Sequence, residues 1–535
     1  MTFDRASALE RLATEHFDVL VVGGGITGAG VALDAASRGL RTALAERDDF
    51  GSGTSSRSSK LVHGGLRYLS QGDYRLVAQA LTERQRLLTN APHLVRPLPF
   101  LVPSYGSRAG LRAVSSALWL YDLTGGFRIG RLHRRLSPAD ALTRAPALRA
   151  DALAGAHLYL DAHGDDARLT LAVVRTAVLD HGAVAANHTR VACIRRGGAT
   201  LEADGRTMEV DAAVVVSAAG VWADELATAG SPAVRARSIR PAKGVHVTVP
   251  AELVPIDVAL VLKAPVDGRS VFVVPWPGTG RVYVGTTDTD YDGPLDAPTC
   301  TAAEVDYLLE AVNASLTTQL KPSDVVGAWA GLRPLVAGGR SGRRSTDLSR
   351  RHRVTRSPEG LVTVTGGKLT TYRAMAEDTV DEVQAALGQR RTRARTASLP
   401  LRGATSAEAP VAAGPAGDVA ATRHLVARYG SEARVVVAIV AADPALGEPL
   451  VPSLPYLRAE ALYAVRYEMA RTLDDVLARR TRALILARDA SAAAAPAVAD
   501  LLAAELGWSE AESAAQVDRY RAAADVERLA AASAS

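Results

Sequence analysis

The chain has 535 residues, 48% of them hydrophobic, and a formal net charge of +5. That length fits two or three domains, and no apolar run approaches the roughly 20 residues of a membrane span. Basic residues are scattered apart from Arg128–Arg135 (RIGRLHRR) and Arg390–Arg395 (RRTRAR), which argues against nucleic acid as a partner. The two cysteines, Cys193 and Cys300, exclude a disulfide framework and any C-x-x-C metal pattern, so no metal site is expected and a reducing cytoplasm fits.

Met1–Glu15 carries Asp4, Arg5, Glu10, Arg11 and Glu15, unlike a secretory signal. Asp18–Val22 reads as a β-branched strand, followed at once by Gly23, Gly25 and Gly28 in G-x-G-x-x-G spacing. The first glycine permits the tight turn, the second lets backbone approach a pyrophosphate, and the third lets helix and strand pack closely. Ala29–Arg38 reads as the helix whose N-terminal amides face that anion. Leu40–Ala45 reads as a second strand, and Glu46 ends it, eighteen positions after Gly28. An acid there is placed for a ribose hydroxyl, although the motif alone does not separate FAD from NAD.

Thr54–Leu69 (TSSRSSKLVHGGLRYL) combines small hydroxyls and paired glycines with Lys60, His63, Arg67 and Tyr68. Val77–Leu88 has helical spacing. Ala91–Pro103, with four prolines, reads as a boundary. Leu111–Leu123 is apolar and lies beside the Arg128–Arg135 cluster; it is either a membrane-facing element or a core helix. Asp211–Gly220 reads as an apolar strand ending in small residues. Val245–Pro250, Ser270–Pro275 and Arg281–Gly285 read as strands of an antiparallel sheet. Leu361–Thr365 is a short strand before Gly366-Gly367 and a helix from about Leu369. Gln389–Gly417 reads as a linker, and the rest is Ala-rich and helical, with Thr472 and Asp475 spaced to cap a helix start. Only five of the 62 basic residues are lysine. Lys60, Lys243 and Lys368 therefore mark places where a compact ammonium is wanted.

These segments resemble the FAD-dependent glycerol-3-phosphate dehydrogenases, within the glutathione-reductase-like flavoproteins. The resemblance recurs in order: TSSRSSKLVHGGLRYL, VSAAGVWAD at Val216–Asp224, KGVHVTV at Lys243–Val249, VPWPGTGRVYVGTT at Val274–Thr287, GLRPL at Gly331–Leu335, STDLSR at Ser345–Arg350, GGKLTTYR at Gly366–Arg373 and TLDDVLARRTR at Thr472–Arg482. It implies an α/β fold with a Rossmann-type FAD-binding domain, an antiparallel-sheet substrate domain and a C-terminal α-helical domain. The expected division is 1–90, 151–235 and 325–388 for the FAD domain, 91–150 and 236–324 for the substrate domain, a linker at 389–417, and 418–535 for the helical domain.

The implied FAD site comprises Gly23, Gly25, Gly28, Glu46, Thr54, Ser55, Ser59, Lys60, His63, Gly64, Gly65, Leu66, Val191, Ala219, Gly220, Trp222, Gly367, Lys368, Leu369 and Thr370. The implied substrate is glycerol 3-phosphate, held by Arg67, Tyr68, Arg333, Arg350 and Lys368, with Arg351 the alternative if the register slips by one. A base takes the C2 hydroxyl proton while hydride passes to the flavin. His63 and His246 are the candidates, with His63 favoured beside the flavin-approaching glycines, and Arg333 and Lys368 completing the catalytic set. The resemblance further implies a membrane quinone as acceptor, monotopic contact with the inner face of the cell membrane, and a homodimer as an open option. Oxygen as acceptor, an amine or amino-acid oxidase of the same fold, and a non-catalytic dinucleotide sensor are the competing readings.

Overall fold

The computed structural model describes residues 2–69, 72–106, 108–230, 239–336, 351–404 and 418–532. Two sheets organise these residues. The first has eight strands and is built on the parallel order Val362–Thr365, Arg206–Ser217, His16–Val22, Thr42–Ala45, Val184–Ala186. His16–Val22 is buried at nearly every position, as befits a parallel strand covered on both faces. The Ile26–Ser37, Asp166–Leu179 and Tyr372–Ala386 helices pack in the same core as this sheet. An antiparallel Arg190–Arg195, Gly198–Ala203, Arg206–Ser217 meander extends it.

The second sheet has ten strands and is almost wholly antiparallel. Its centre for function is the pairing of Ile239–Pro250 with Gly327–Val336, in which His246 faces Trp329, Gly244 faces Gly331 and Ala242 faces Arg333. Side chains opposite one another across a pair share a face, and that face repeats every second residue. His246, Trp329 and Arg333 therefore stand on the same face, with Gly244 and Gly331 leaving room between them.

Three expectations shift. Leu153–Gly164 and Gly327–Val336 fall in segments expected to belong to the FAD domain, yet both are strands of the second sheet. The long partner strands lie far off in sequence, so local pattern does not show which sheet each joins. The proline-rich stretch read as a boundary is instead the strand Val95–Tyr105. Pro97, Pro99 and Pro103 share one parity, so their missing donors all fall on one side of the strand, which pairs along its length with Leu153–Gly164 and with Ala259–Lys263 only at Phe100 and Leu101. The stretch read as a linker is partly ordered: Thr396 Oγ1 donates to Asp34 at 2.7 Å, and the Leu401 amide donates to the Asn90 carbonyl. Residues 405–417 lie outside the described residues.

Beyond 418 the chain is helical. Thr472 and Asp475 do form a reciprocal cap, with the Asp475 amide on Thr472 Oγ1 at 3.0 Å and the Thr472 amide on Asp475 at 3.1 Å. One apolar cluster, from Leu425 to Tyr463, belongs to the helical part alone, but a second is shared. Leu473, Val476, Leu477 and Leu484–Leu486 join Phe100, Tyr283 and Trp329 of the second sheet in one apolar cluster.

Candidate active site

The fingerprint turn forms one wall of a long cleft. Gly23 has φ +108°, and a Cβ there would meet the Ala218 carbonyl oxygen at 2.7 Å. A Cβ on Gly28 would lie 1.9 Å from the Gly23 carbonyl oxygen, so this glycine serves helix–strand contact rather than the ligand. The Ile26–Ser37 helix starts at Gly25, and the first helical amide, Ile26, donates to Ser55 Oγ at 2.9 Å. Glu46 accepts from the Gly24 and Asp48 amides at 2.5 and 2.9 Å. Burial outweighs both hydrogen bonds and pushes its carboxyl up to about 7.

The cleft has a volume of about 270 Å³, at the lower end of the roughly 300–1,000 Å³ of ordinary ligand pockets. Gly23, Gly25, Glu46, Thr54, Ser55, Val191, Ala219, Gly220, Trp222, Gly367, Lys368 and Leu369 line it. The structure thus brings together twelve expected residues from six separate segments. Arg47, Gly53, Thr189 and Arg190 also line it and were not expected. Gly53 carries a legible signal in retrospect, since a Cβ there would meet the Trp222 ring at 2.8 Å.

The donor set fits an FAD. A glycine cradle faces a helix N-terminus, an acid stands where a ribose would lie, and Trp222 Nε1 is buried with no hydrogen-bond partner among the described residues. Gly366 and Gly367 have φ of +75° and +82°, which turns the chain into the Leu369–Thr371 and Tyr372–Ala386 helices. Lys368 sits at that turn, with Nζ 3.8 Å from the centroid of the Tyr68 ring.

The remaining expected residues lie elsewhere. Gly28, Ser59, Lys60, His63, Gly64, Gly65, Leu66 and Thr370 do not line the cleft. Gly64 is explained by packing, because a Cβ would meet Leu81 and the Tyr121 hydroxyl at 2.5 Å. Gly65 has φ +80° and closes on the Tyr68 ring. His63 is half-buried, and its amide donates to Thr370 Oγ1 at 3.3 Å. Lys60 points away from the cleft. It is 2% exposed, and its Nζ lies 3.3 Å from Asp166 and 4.5 Å from the Trp329 ring centroid. Burial holds its ammonium down at about 8.

On the second sheet, His246 is 2% exposed, stacks on Trp329 with centroids 4.7 Å apart, and its Nε2 lies 2.8 Å from Ser59 Oγ. Burial, together with the Lys60 and Arg333 cations, holds this ring well below the usual histidine value, so it is neutral. Arg333 donates to the Lys243 carbonyl, Asp288, Thr286 Oγ1 and the Thr287 carbonyl at 3.0–3.1 Å. Thr286 and Asp288 are anchors that the sequence reading missed. Arg350 and the Arg67 side chain lie outside the described residues. Arg351 is exposed and pairs with Asp73 at 2.7 Å. Asp49, His188 and Asp475 cluster closely enough to suggest a metal, but Arg479 and Arg480 already neutralise the two carboxylates.

A glycine-cradled dinucleotide cleft beside an antiparallel sheet defines the FAD-dependent oxidoreductase class. Residues 18–382 match the FAD dependent oxidoreductase family, and residues 394–513 match the C-terminal domain of alpha-glycerophosphate oxidase. Glycerol-3-phosphate dehydrogenase 2 of Mycobacterium tuberculosis is 42% identical over 98% of this chain and 91% of its own length. Glycerol-3-phosphate dehydrogenase of Mycobacterium leprae is 42% identical over the same shares, 98% and 91%. The crystal structure of the Bacillus halodurans glycerol-3-phosphate dehydrogenase complexed with FAD is 31% identical, covers 98% of this chain and 97% of that one, and superposes with a TM-score of 0.79. The chain belongs to the family of FAD-dependent glycerol-3-phosphate dehydrogenases, and FAD is its cofactor.

Proposed function

We propose that the protein oxidises sn-glycerol 3-phosphate to dihydroxyacetone phosphate and passes the electrons to a membrane quinone. The observation that carries the substrate reading is Lys368, which lines the FAD cleft with its Nζ 3.8 Å from the Tyr68 ring centroid, while Arg333 stands on the second sheet next to Pro334 of the cleft wall. When bound, FAD supplies the hydride acceptor. The chain's own groups bind and orient the alcohol. Lys368 and Arg333 are the cations proposed for the phosphate, a role in which Arg333 would exchange part of its bonding to Thr286, Thr287, Asp288 and the Lys243 carbonyl for phosphate oxygens. Arg67 and Arg350 complete the proposed clamp.

His63 is the proposed base for the C2 hydroxyl proton. His246 is committed at Nε2 to Ser59 and stacked on Trp329, which suits support better than proton abstraction. A positioned base contributes roughly 10²–10⁴-fold. His63→Ala is therefore expected to slow anaerobic flavin reduction by about 100-fold or more at saturating substrate. The same loss in His246→Ala, with His63→Ala at the wild-type rate, would reverse the assignment. Arg333→Met is expected to raise the glycerol 3-phosphate KM roughly 10- to 100-fold, the weight of one or more charged hydrogen bonds, with FAD content unchanged.

The quinone reading draws on an unusual surface. The Arg108–Thr124 helix buries Leu111, Leu118 and Tyr121 but leaves Trp119 51% and Leu123 75% exposed, with Phe127 and Leu132 beyond them also exposed. Arg112, Arg128, Arg131, Arg134 and Arg135 are exposed around this apolar face. No helix among the described residues is long and apolar enough to cross a membrane. A basic-rimmed apolar face is the geometry of interfacial contact with anionic lipid. Rapid mixing of the reduced enzyme with a soluble quinone or with oxygen decides the acceptor: prompt reoxidation by quinone without peroxide supports the dehydrogenase reading, and stoichiometric peroxide supports an oxidase.

A further inference from the structure

Besides its apolar contacts with the second sheet, the C-terminal helical domain sends one buried arginine to the segment before His63. Arg482 is 2% exposed and has φ +61°. Its Nη2 donates to the Ser56 carbonyl at 2.6 Å and to Asp166 Oδ1 at 2.7 Å. The other oxygen of Asp166 accepts from the Ser58 amide at 2.9 Å, from Ser58 Oγ at 2.7 Å and from Lys60 Nζ at 3.3 Å. Lys60 is also left-handed, with φ +56°. Non-glycine residues adopt that region rarely and persist there only where their surroundings over-determine them. Here two such residues are joined through one carboxylate.

The segment so gripped is the one that holds His246 in place. Ser59, between the two anchored residues, bonds His246 Nε2 at 2.8 Å, and its carbonyl accepts from the Tyr283 hydroxyl at 2.9 Å. The Ser58 carbonyl accepts from Trp329 Nε1 at 3.2 Å, and Trp329 is the ring on which His246 stacks. The Leu61–Val62 strand then leads directly to His63. Neither Arg482 nor Asp166 lines the FAD cleft.

We propose that Arg482 and Asp166, with Lys60, are positioning residues through which the C-terminal domain sets the placement of Ser59, His246 and His63 on the substrate. This rests on the reading of the site as a glycerol 3-phosphate site. The proposed phosphate cations Lys368, Arg333 and Arg350 belong to other segments of the chain, and Arg67 lies in the Leu66–Tyr68 turn beyond the gripped residues, so the loss falls on the reaction step rather than on binding.

The test uses the FAD-loaded full chain with Arg482→Met, Ser59→Ala and the double variant. Arg482→Met is expected to slow anaerobic flavin reduction by glycerol 3-phosphate roughly 10- to 100-fold, as misplacement by about 1 Å does, with half-saturation essentially unchanged. The double variant is expected to be no slower than the worse single, since both act through one segment. Amide hydrogen exchange at Ser58 and Lys60 is expected to accelerate in Arg482→Met with no change at the Ile26–Ser37 helix. If Arg482→Met does not retain FAD, Lys60→Met makes the same measurements. A wild-type rate, half-saturation rising in step with the loss of rate, multiplying losses in the double variant, or unchanged exchange would each overturn the proposal. A wild-type protein that glycerol 3-phosphate does not reduce would overturn the substrate reading, and the exchange measurement would still decide whether Arg482 holds the segment.

Discussion

Glu46 illustrates how one residue carries both structure and chemistry. Two amides favour its charged form, yet burial wins and lifts its carboxyl to about 7. A carboxyl raised above its unfolded value contributes stability that is fully present below the unfolded value and is lost as pH rises through the folded one. Stability of the FAD-free protein is therefore expected to fall between about pH 4.5 and about pH 7. Glu46→Gln is expected to flatten that slope, measured as the urea midpoint across the window. An identical slope in both proteins would remove Glu46 as its source. This acid was legible from its distance to the glycines. Lys60 was legible only as special: the scarcity of lysine singled it out, but nothing local revealed Asp166 and Trp329 as its partners, more than a hundred and more than two hundred residues away. Gly64 and Gly65 are the opposite case. Close approach was read correctly, but what approaches is Tyr121 and Tyr68.

At the scale of elements, the strand–turn–helix fingerprint and the central antiparallel strands could be read because their signals are local, a glycine spacing and an alternation of two. The strand Val95–Tyr105 could not, because its prolines read locally as a break and the partner that makes it a strand, Leu153–Gly164, lies far along the chain. Gly28→Ala tests the fingerprint's packing role. A Cβ at 1.9 Å from the Gly23 carbonyl oxygen forces strand and helix apart, and a loss of about 3 kcal/mol together with loss of bound FAD is expected by overpacking. The Arg108–Thr124 helix was left between membrane face and core, and its inner face is core while its outer face stays apolar. Trp119→Glu with Leu123→Glu is expected to abolish sedimentation with anionic vesicles while leaving flavin reduction unchanged. Undiminished sedimentation would move the contact elsewhere.

Across the whole molecule, the least legible feature is that the C-terminal helices are not an appendage. Helical periodicity announced them, but their partners come from the other sheet and from buried ion pairs such as Arg168–Glu468 and Arg480–Asp49 at 2.7 and 2.5 Å. Removing one partner from such a pair typically costs about 3–5 kcal/mol, since it strands a buried charge. A chain ending at residue 404 exposes the apolar cluster shared with Tyr283 and Trp329 and leaves several such charges alone. It is expected to be insoluble or devoid of FAD, and a soluble yellow fragment would contradict the shared core.

The central claim is that a glycerol 3-phosphate site adjoins the FAD cleft. The most direct measurement is the visible spectrum of the purified, FAD-loaded protein under anaerobic conditions, before and after glycerol 3-phosphate, with sarcosine and a D-amino acid as controls. The account predicts that the oxidised flavin bands bleach promptly with glycerol 3-phosphate alone. Bands that persist with glycerol 3-phosphate, or that bleach only with an amine or amino acid, would contradict it.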